Sequence, residues 1–307
     1  MPEAMTISLP RDDMTLRQIV EWGAAQFEQA GLYFGHGTDN ALDEAAWLAA
    51  YAMGVRPDYE GVDIEQQPTA PEKTALLDLY QRRIHERKPA AYLINEAWFA
   101  GLAFYVDERV LIPRSPIAEL IEDGFQPWLG NQPVRHILEI GTGSGCIAIA
   151  CALAFAEARV DATDISQDAL AVAGLNRSHY QLEDRLELLQ SDLFSALHGR
   201  HYDIIVSNPP YVDAEDMNDL PAEFRHEPEL GLTAGVEGLD LVIPMLAQAS
   251  DYLNPNGILV VEVGNSMQAL QARFPEVPFT WLEFEHGGQG VFLLDAQTLA
   301  THRHVFH

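Results

Sequence analysis

The spacing of apolar residues changes twice along this chain, and each change marks a different kind of structure. Behind Thr15-Leu16-Arg17-Gln18, which reads as a capping box, Leu16, Ile19, Val20, Gly23 and Phe27 recur at helical spacing. A second helix is predicted from Ala41 to Met53, stopped by Gly54. A third is predicted from Pro71 to Arg87, with proline in its first turn and Pro89 just beyond its end. Leu76, Tyr80 and Ile84 line one face of it, and these stripes are expected to pack together as a core. Residues 1–13 carry no pattern. Residues 95–112 alternate apolar and polar, which predicts a connecting hairpin.

From Pro116 onward helical and strand patterns alternate. Strands are expected at Ile137–Ile140, Arg159–Thr163, Arg185–Gln190 and Ile204–Val206, with an apolar helix from Cys146 to Phe155. Strands near Gly257–Val263, Phe279–Phe284 and Gly290–Leu294 complete the series. Alternation of this kind predicts an α/β fold with a mainly parallel sheet covered on both faces. The last two strands follow each other closely, so one is expected to run antiparallel at the edge. The chain therefore divides into a helical domain (1–92), a connecting hairpin (93–114) and a sheet domain (115–307).

Two of the strands end in chemically distinctive turns. After Ile204–Val206 comes Ser207-Asn208-Pro209-Pro210-Tyr211. Two prolines fix φ and remove two backbone donors, and a residue before proline is held extended. The Asn208 amide oxygen and the Pro209 carbonyl are then presented in one stiff arrangement, suited to gripping a planar –NH2 group. After Ile137–Ile140 comes Gly141-Thr142-Gly143-Ser144-Gly145, a glycine turn that lets backbone approach a ligand closely. Cys146 stands where a dinucleotide fingerprint would have its last glycine, and no Walker motif is present. Asp164 ends the next strand and is placed to accept from ribose hydroxyls; Ser166 competes with it for capping the following helix. After the third strand, Asp192 is open between accepting from an adenine amino group and being a solvated loop acid, while Leu193 is expected on the ring.

Composition narrows the field. The 307 residues carry 18 Lys and Arg against 46 Asp and Glu, a formal net charge of −28. Such a surface repels phosphate backbones and attracts basic polypeptides, so direct nucleic-acid binding is not expected; the acidity equally fits solubility or a salty habitat. The one basic run, Arg82-Arg83 to Arg87-Lys88, falls at a predicted helix end, where cations complement the dipole. No apolar run reaches the ~20 residues that cross a bilayer, and the amino terminus lacks signal-peptide regions. Cys146 and Cys151 lie five apart on one helix, and they are expected to be buried free thiols in a cytoplasmic protein. No metal site is expected: the histidines of the 301–307 tail fit no standard ligand spacing, and that tail reads as flexible.

The residues Glu139-Ile140-Gly141-Thr142-Gly143-Ser144-Gly145 and Asn208-Pro209-Pro210-Tyr211 together resemble a class I (Rossmann-like) S-adenosylmethionine-dependent methyltransferase acting on nitrogen. Trp98-Phe99-Ala100-Gly101-Leu102 and Val110-Leu111-Ile112-Pro113-Arg114 resemble the hairpin and Ile-Pro-Arg signature of the bacterial protein-(glutamine-N5) methyltransferases. Ser115-Pro116-Ile117, His226-Glu227-Pro228 and Ala234–Asp240 look like the branch that acts on large-subunit ribosomal protein L three, rather than the release-factor branch. The resemblance implies S-adenosylmethionine held by Glu139, Gly141, Thr142, Gly143, Gly145, Asp164, Asp192, Leu193 and Asn208. It implies catalysis at Asn208, Pro209, Pro210 and Tyr211, with Arg114 bracing the hairpin; Tyr211 and Phe99 either wall the glutamine or pack in the core. Substrate recognition would fall to the helical domain, and the partner would be a basic ribosomal protein met before ribosome assembly. The same chemistry on peptide-chain release factors stays open, and a catalytically silent assembly factor and an adenine-N6 methyltransferase are the alternatives from other classes.

Overall fold

The Thr15 hydroxyl accepts from Gln18 N and the Gln18 side chain accepts from Thr15 N, so helix α1 (Leu16–Gln29) begins on the expected capping box. The computed structural model describes residues 10–11, 13–56, 60, 62–212, 220–235, 237–285 and 287–306. The chain forms two units: Met1–Glu96 with Pro221–His226, and Ala97–Leu220 with Glu227–His307. The return of Pro221–His226 to the first unit is invisible to a reading in contiguous blocks.

In the first unit, α2 (Ala41–Ala52) is capped by Asn40, and α3 (Ala70–Glu86) opens on a reciprocal Thr69–Glu72 box with Pro71 in its first turn. A short α4 follows (Ala90–Ile94). Ile19, Phe27, Leu48, Leu76 and Tyr80 form the core. Gly23 belongs to the α1 stripe for a steric reason: a Cβ there would stand 2.2 Å from the Tyr80 ring. The basic run at the end of α3 is not a plain solvated face. Arg83 is fully buried, with Nε on Glu44 at 2.6 Å, and Glu223 lies 3.6 Å from its other arm. The sequence reading set this run at a helix end where cations complement the dipole; for Arg83 a pair of buried carboxylates is the partner instead.

In the second unit, β1 (Ala97–Phe99) and β2 (Leu102–Phe104) form the connecting hairpin. Helix α5 (Ile117–Glu122) leads to β3 (His136–Ile140), α6 (Cys146–Ala154), β4 (Arg159–Asp164), α7 (Gln167–His179), β5 (Leu186–Gln190) and β6 (Tyr202–Ser207). Then come α8 (Val242–Ala249), β7 (Leu253–Glu262), α9 (Met267–Arg273), β8 (Thr280–Trp281), β9 (Val291–Asp295) and α10 (Ala296–His302). The sheet order is β5-β4-β3-β6-β7-β9-β8, parallel through β7, with β9 antiparallel to both its neighbours and the short β8 closing that side.

Neighbouring residues of each strand face opposite layers, as the pleat requires. Ile137, Ile204, Val206 and Val260 pack with Ile117 and Ile147 on one face. Leu138, Ile205, Leu259 and Val261 pack with Met245, Leu270 and Leu299 on the other. Cys146 and Cys151 are free and buried, and burial pushes the Cys146 thiol up to about 12. The carboxyl-terminal segment is ordered rather than flexible. Phe306 is 1% exposed with its edge on Phe274, and Arg303 pairs with Asp251, so an aromatic anchor outweighs the polar composition around it.

Candidate functional site

At the end of β3 the backbone turns through Gly141 (φ 75°), Gly143 (φ 54°) and Gly145 (φ 82°), conformations that favour glycine. A Cβ on Gly141 or Gly143 would meet nothing within 4 Å, so the loop presents bare backbone to open space. The turn is pinned to β4 by two amides, Gly141 N and Thr142 N, which both donate to the Thr163 carbonyl at 2.8 and 2.9 Å. Glu139 braces it from below. Its buried carboxyl accepts from the Thr142 hydroxyl and from Ala148 N at the start of α6. Burial pushes the Glu139 carboxyl up to about 8.

Asp164 closes β4 and joins this loop. Its Oδ2 accepts from Gly143 N and its Oδ1 from Ser166 N, each at 2.9 Å, and burial raises its pKa. Ser166 caps α7 by accepting from Ala169 N, which leaves Asp164 out of the capping role. Beyond β5, Leu193 adopts φ 46° and is half-buried, with Asp192 exposed beside it. Beyond β6, the Ser207 hydroxyl donates to the Ile140 carbonyl at 2.7 Å and so ties the root of the Asn208 turn to the root of the glycine turn.

These turns line one cavity of about 220 Å3. Glu139, Gly141, Thr142, Gly143, Asp164, Asp192, Leu193, Asn208 and Pro210 all contribute to it. Gly145 stands outside the lining, where a Cβ would come 3.2 Å from Ala173 Cβ; it lets α6 approach α7.

The structure departs from the sequence reading at the aromatics. Phe99 is 4% exposed in the hydrophobic core with Phe104 and Ile117 and stands outside the cavity lining. Tyr211 is outside the cavity lining, and its hydroxyl donates to Glu262 at 3.0 Å. Pro209 is buried behind Pro210 and outside the lining as well. Arg114 braces as expected: its two terminal nitrogens fork onto Glu227 at 2.5 and 2.6 Å, and Glu227 also accepts from Ile112 N at 3.1 Å.

Several lining residues were given no site role by the sequence reading, although some stand within its motifs. Leu111, Ile112 and Pro113 form one wall, and Pro228 with Leu230 forms part of the lining too. Ile165 also lines the cavity and is 51% exposed. An apolar residue placed directly after a strand-ending acid was the available signal.

The Methyltransferase small domain family model matches residues 125–227. The ribosomal protein uL3 glutamine methyltransferase of Xanthomonas campestris pv. campestris is 47% identical over 298 residues, covering 97% of this chain and 96% of its own. That of Francisella tularensis subsp. tularensis is 45% identical over 293 residues, covering 95% and 93%. The hMettl16 catalytic domain, solved in complex with MAT2A 3'UTR hairpin 6, overlays with a TM-score of 0.52 at 19% identity. That overlay spans 80% of this chain and 91% of that one, and it is a likeness of fold alone.

Proposed function

The chain belongs to the family of ribosomal protein uL3 glutamine methyltransferases, and from that premise we propose that it transfers a methyl group from S-adenosylmethionine to the side-chain nitrogen of a glutamine in ribosomal protein uL3. The observation that carries this reading is the meeting of the glycine turn, Asp164 and Asn208 on one cavity at the carboxyl ends of parallel strands.

The residues present suit the methyl donor. Gly141 and Gly143 leave room that a side chain would fill. Asp164 keeps lone pairs for ribose hydroxyls beside the two amides it already holds, and Ile165 and Leu193 offer apolar surface to a purine. When bound, S-adenosylmethionine supplies the electrophilic methyl carbon. Helix α6 starts directly after the glycine turn, and its first residues, Cys146 and Ile147, line the same cavity.

An amide nitrogen is a poor nucleophile because its lone pair is delocalised into the carbonyl. The Asn208 side-chain oxygen, which the turn after β6 presents at the cavity lining, accepts an N–H of the substrate amide. That holds the nitrogen in place and draws charge onto it. Orientation and a preorganised acceptor are then the chief contributions of the protein. The proton leaves nitrogen after transfer, so no strong base is needed. Leu111–Pro113 and Pro228 form the apolar wall that keeps water from the amide.

Ala97–Leu220 with Glu227–His307 holds nine arginines and no lysine against twenty-nine acidic residues, a balance that steers a basic polypeptide toward this unit before it is covered by ribosomal RNA. The test is incubation with labelled methyl donor and separately purified uL3 and release factor, followed by peptide mass spectrometry. Methyl on a uL3 glutamine is expected. Asn208→Ala should lower kcat by roughly 10³-fold or more while leaving donor affinity within about twofold. Label on release factor alone, or full turnover by that variant, would overturn the reading.

A further inference from the structure

One ionisable side chain lies buried beside the Asn208 turn without lining the cavity. Glu262 ends β7 with 4% exposure, and both of its oxygens are engaged. Oε1 accepts from the Tyr211 hydroxyl at 3.0 Å and Oε2 from the Ser115 hydroxyl at 2.5 Å. A buried carboxyl is a poor way to gain stability, since apolar packing at such a place does as well or better. What it adds is direction: two hydroxyls from distant parts of the chain are fixed to one group.

The turn after Glu262 holds the same tyrosine twice more. The Ser266 hydroxyl donates to the Tyr211 carbonyl at 3.1 Å. Gly264 lies under the ring, where a Cβ would come 2.5 Å from it. Tyr211 is thus fixed at its hydroxyl, its ring face and its carbonyl. Only Pro209 and Pro210 separate it from Asn208, and their φ angles are set by their rings. On the other side, Ser207 is tied to the Ile140 carbonyl. Asn208 therefore stands on a stiff span seated at both ends.

The Ser115 bond extends the seat to the cavity wall. Ser115 follows Arg114, whose guanidinium forks onto Glu227, and Glu227 also holds Ile112 N. Glu262 thereby ties Ser115 to Tyr211, and Glu227 holds the Ile112–Arg114 segment that leads into Ser115.

We propose that Glu262 is a positioning residue for methyl transfer: through the Tyr211 hydroxyl it sets the pose of Asn208, and through Ser115 it keeps the Leu111–Pro113 wall in register with that turn. The inference rests on Asn208 being the amide acceptor.

The test uses the full chain as Tyr211→Phe, Glu262→Gln and the double variant. Each single change should lower kcat by roughly tenfold or more with the KM for methyl donor within about twofold, and the double variant should be no slower than the slower single, because both cut one linkage. Hydrogen exchange of residues 208–212, with methyl donor bound, should quicken in each variant. Effects that multiply, or wild-type kcat in Tyr211→Phe, would overturn the proposal. If Glu262→Gln does not fold, Tyr211→Phe decides alone, since it removes one hydroxyl; unchanged exchange at 208–212 rejects the seat. A wild-type chain that methylates no glutamine, while exchange still responds to Tyr211→Phe, would defeat the functional reading and leave the seat standing.

Discussion

Replacing Glu139 by glutamine should change how stability depends on pH, and in a direction that the burial of this carboxyl dictates. Glu139 is 1% exposed beneath the glycine turn, and burial pushes its carboxyl from the ordinary 4.5 up to about 8. The folded chain therefore holds this proton more tightly than the unfolded chain does. Its stabilising contribution is complete below pH 4.5 and is lost as pH rises through about 8. The slope in that window is about 1.4 kcal/mol per pH unit, so the whole span amounts to about 5 kcal/mol. Glutamine has the same shape, keeps an oxygen for Ala148 N or the Thr142 hydroxyl, and does not titrate. Urea denaturation of both proteins from pH 5 to 8.5 measures the difference. The wild type should lose stability steadily across this range relative to Glu139→Gln, and near pH 8.5 the variant should be the more stable. Parallel curves would refute the reasoning, because they would mean that the native carboxyl is ionised throughout. A variant less stable by a constant few kcal/mol would say the same.

Three further outcomes follow from the geometry. Arg83→Ala leaves Glu44 buried without its guanidinium, while Glu223 keeps Arg87, and should cost about 3–5 kcal/mol in denaturant unfolding, whereas Arg82→Ala on the same helix should cost about 0.5 kcal/mol or less. Gly143→Val places a side chain in the open cradle at φ 54° and should weaken methyl-donor binding at least tenfold by calorimetry, with a folding cost of only about 1–2 kcal/mol. Phe99→Ala removes a core side chain and should lower stability by about 3–5 kcal/mol while the KM for the glutamine substrate stays within about twofold. A selective rise in that KM would return Phe99 to the site.

The turns that form the cavity were legible in the sequence because their residues are dictated by backbone. Gly141 and Gly143 sit at positive φ, Asp164 ends its strand, and the prolines after Asn208 stiffen theirs. In a parallel sheet, such strand ends must gather at one edge, so motif positions alone predict their meeting. Side-chain direction was not legible. Phe99 and Tyr211 are aromatic residues next to the right motifs, yet one turns into the core and the other toward Glu262. Alternation along a strand names a face, but at a hairpin three residues long or a turn it does not choose between ligand and interior. Arg83 misled for a related reason. Its fate depends on Glu223, 140 positions away, on a segment whose return to the first unit no local pattern announces.

The acidic residues that sequence could only count are of two kinds, and separating them sharpens the functional reading. Glu44, Glu139, Glu223, Glu227 and Glu262 are buried and spoken for by hydroxyls, amides or guanidinium groups. They position backbone and cannot attract a partner. Arginines are also unevenly spread. Arg159, Arg177, Arg185 and Arg200 line a second cavity, of about 540 Å3, together with His136 and Tyr202, the first residues of β3 and β6. That cavity lies at the amino ends of the strands, with its own acids beside them: Asp161 and Glu187 pair with Arg200. At the carboxyl ends, Arg109 and Arg114 are each taken by a carboxylate, Asp107 and Glu227. The cations of the transferase unit are thus neutralised or placed away from Asn208, and the exposed acids set the field that an incoming polypeptide meets. If a carboxamide is met at Asn208 as proposed, an acidic field at that end favours a basic protein over a phosphate-rich strand.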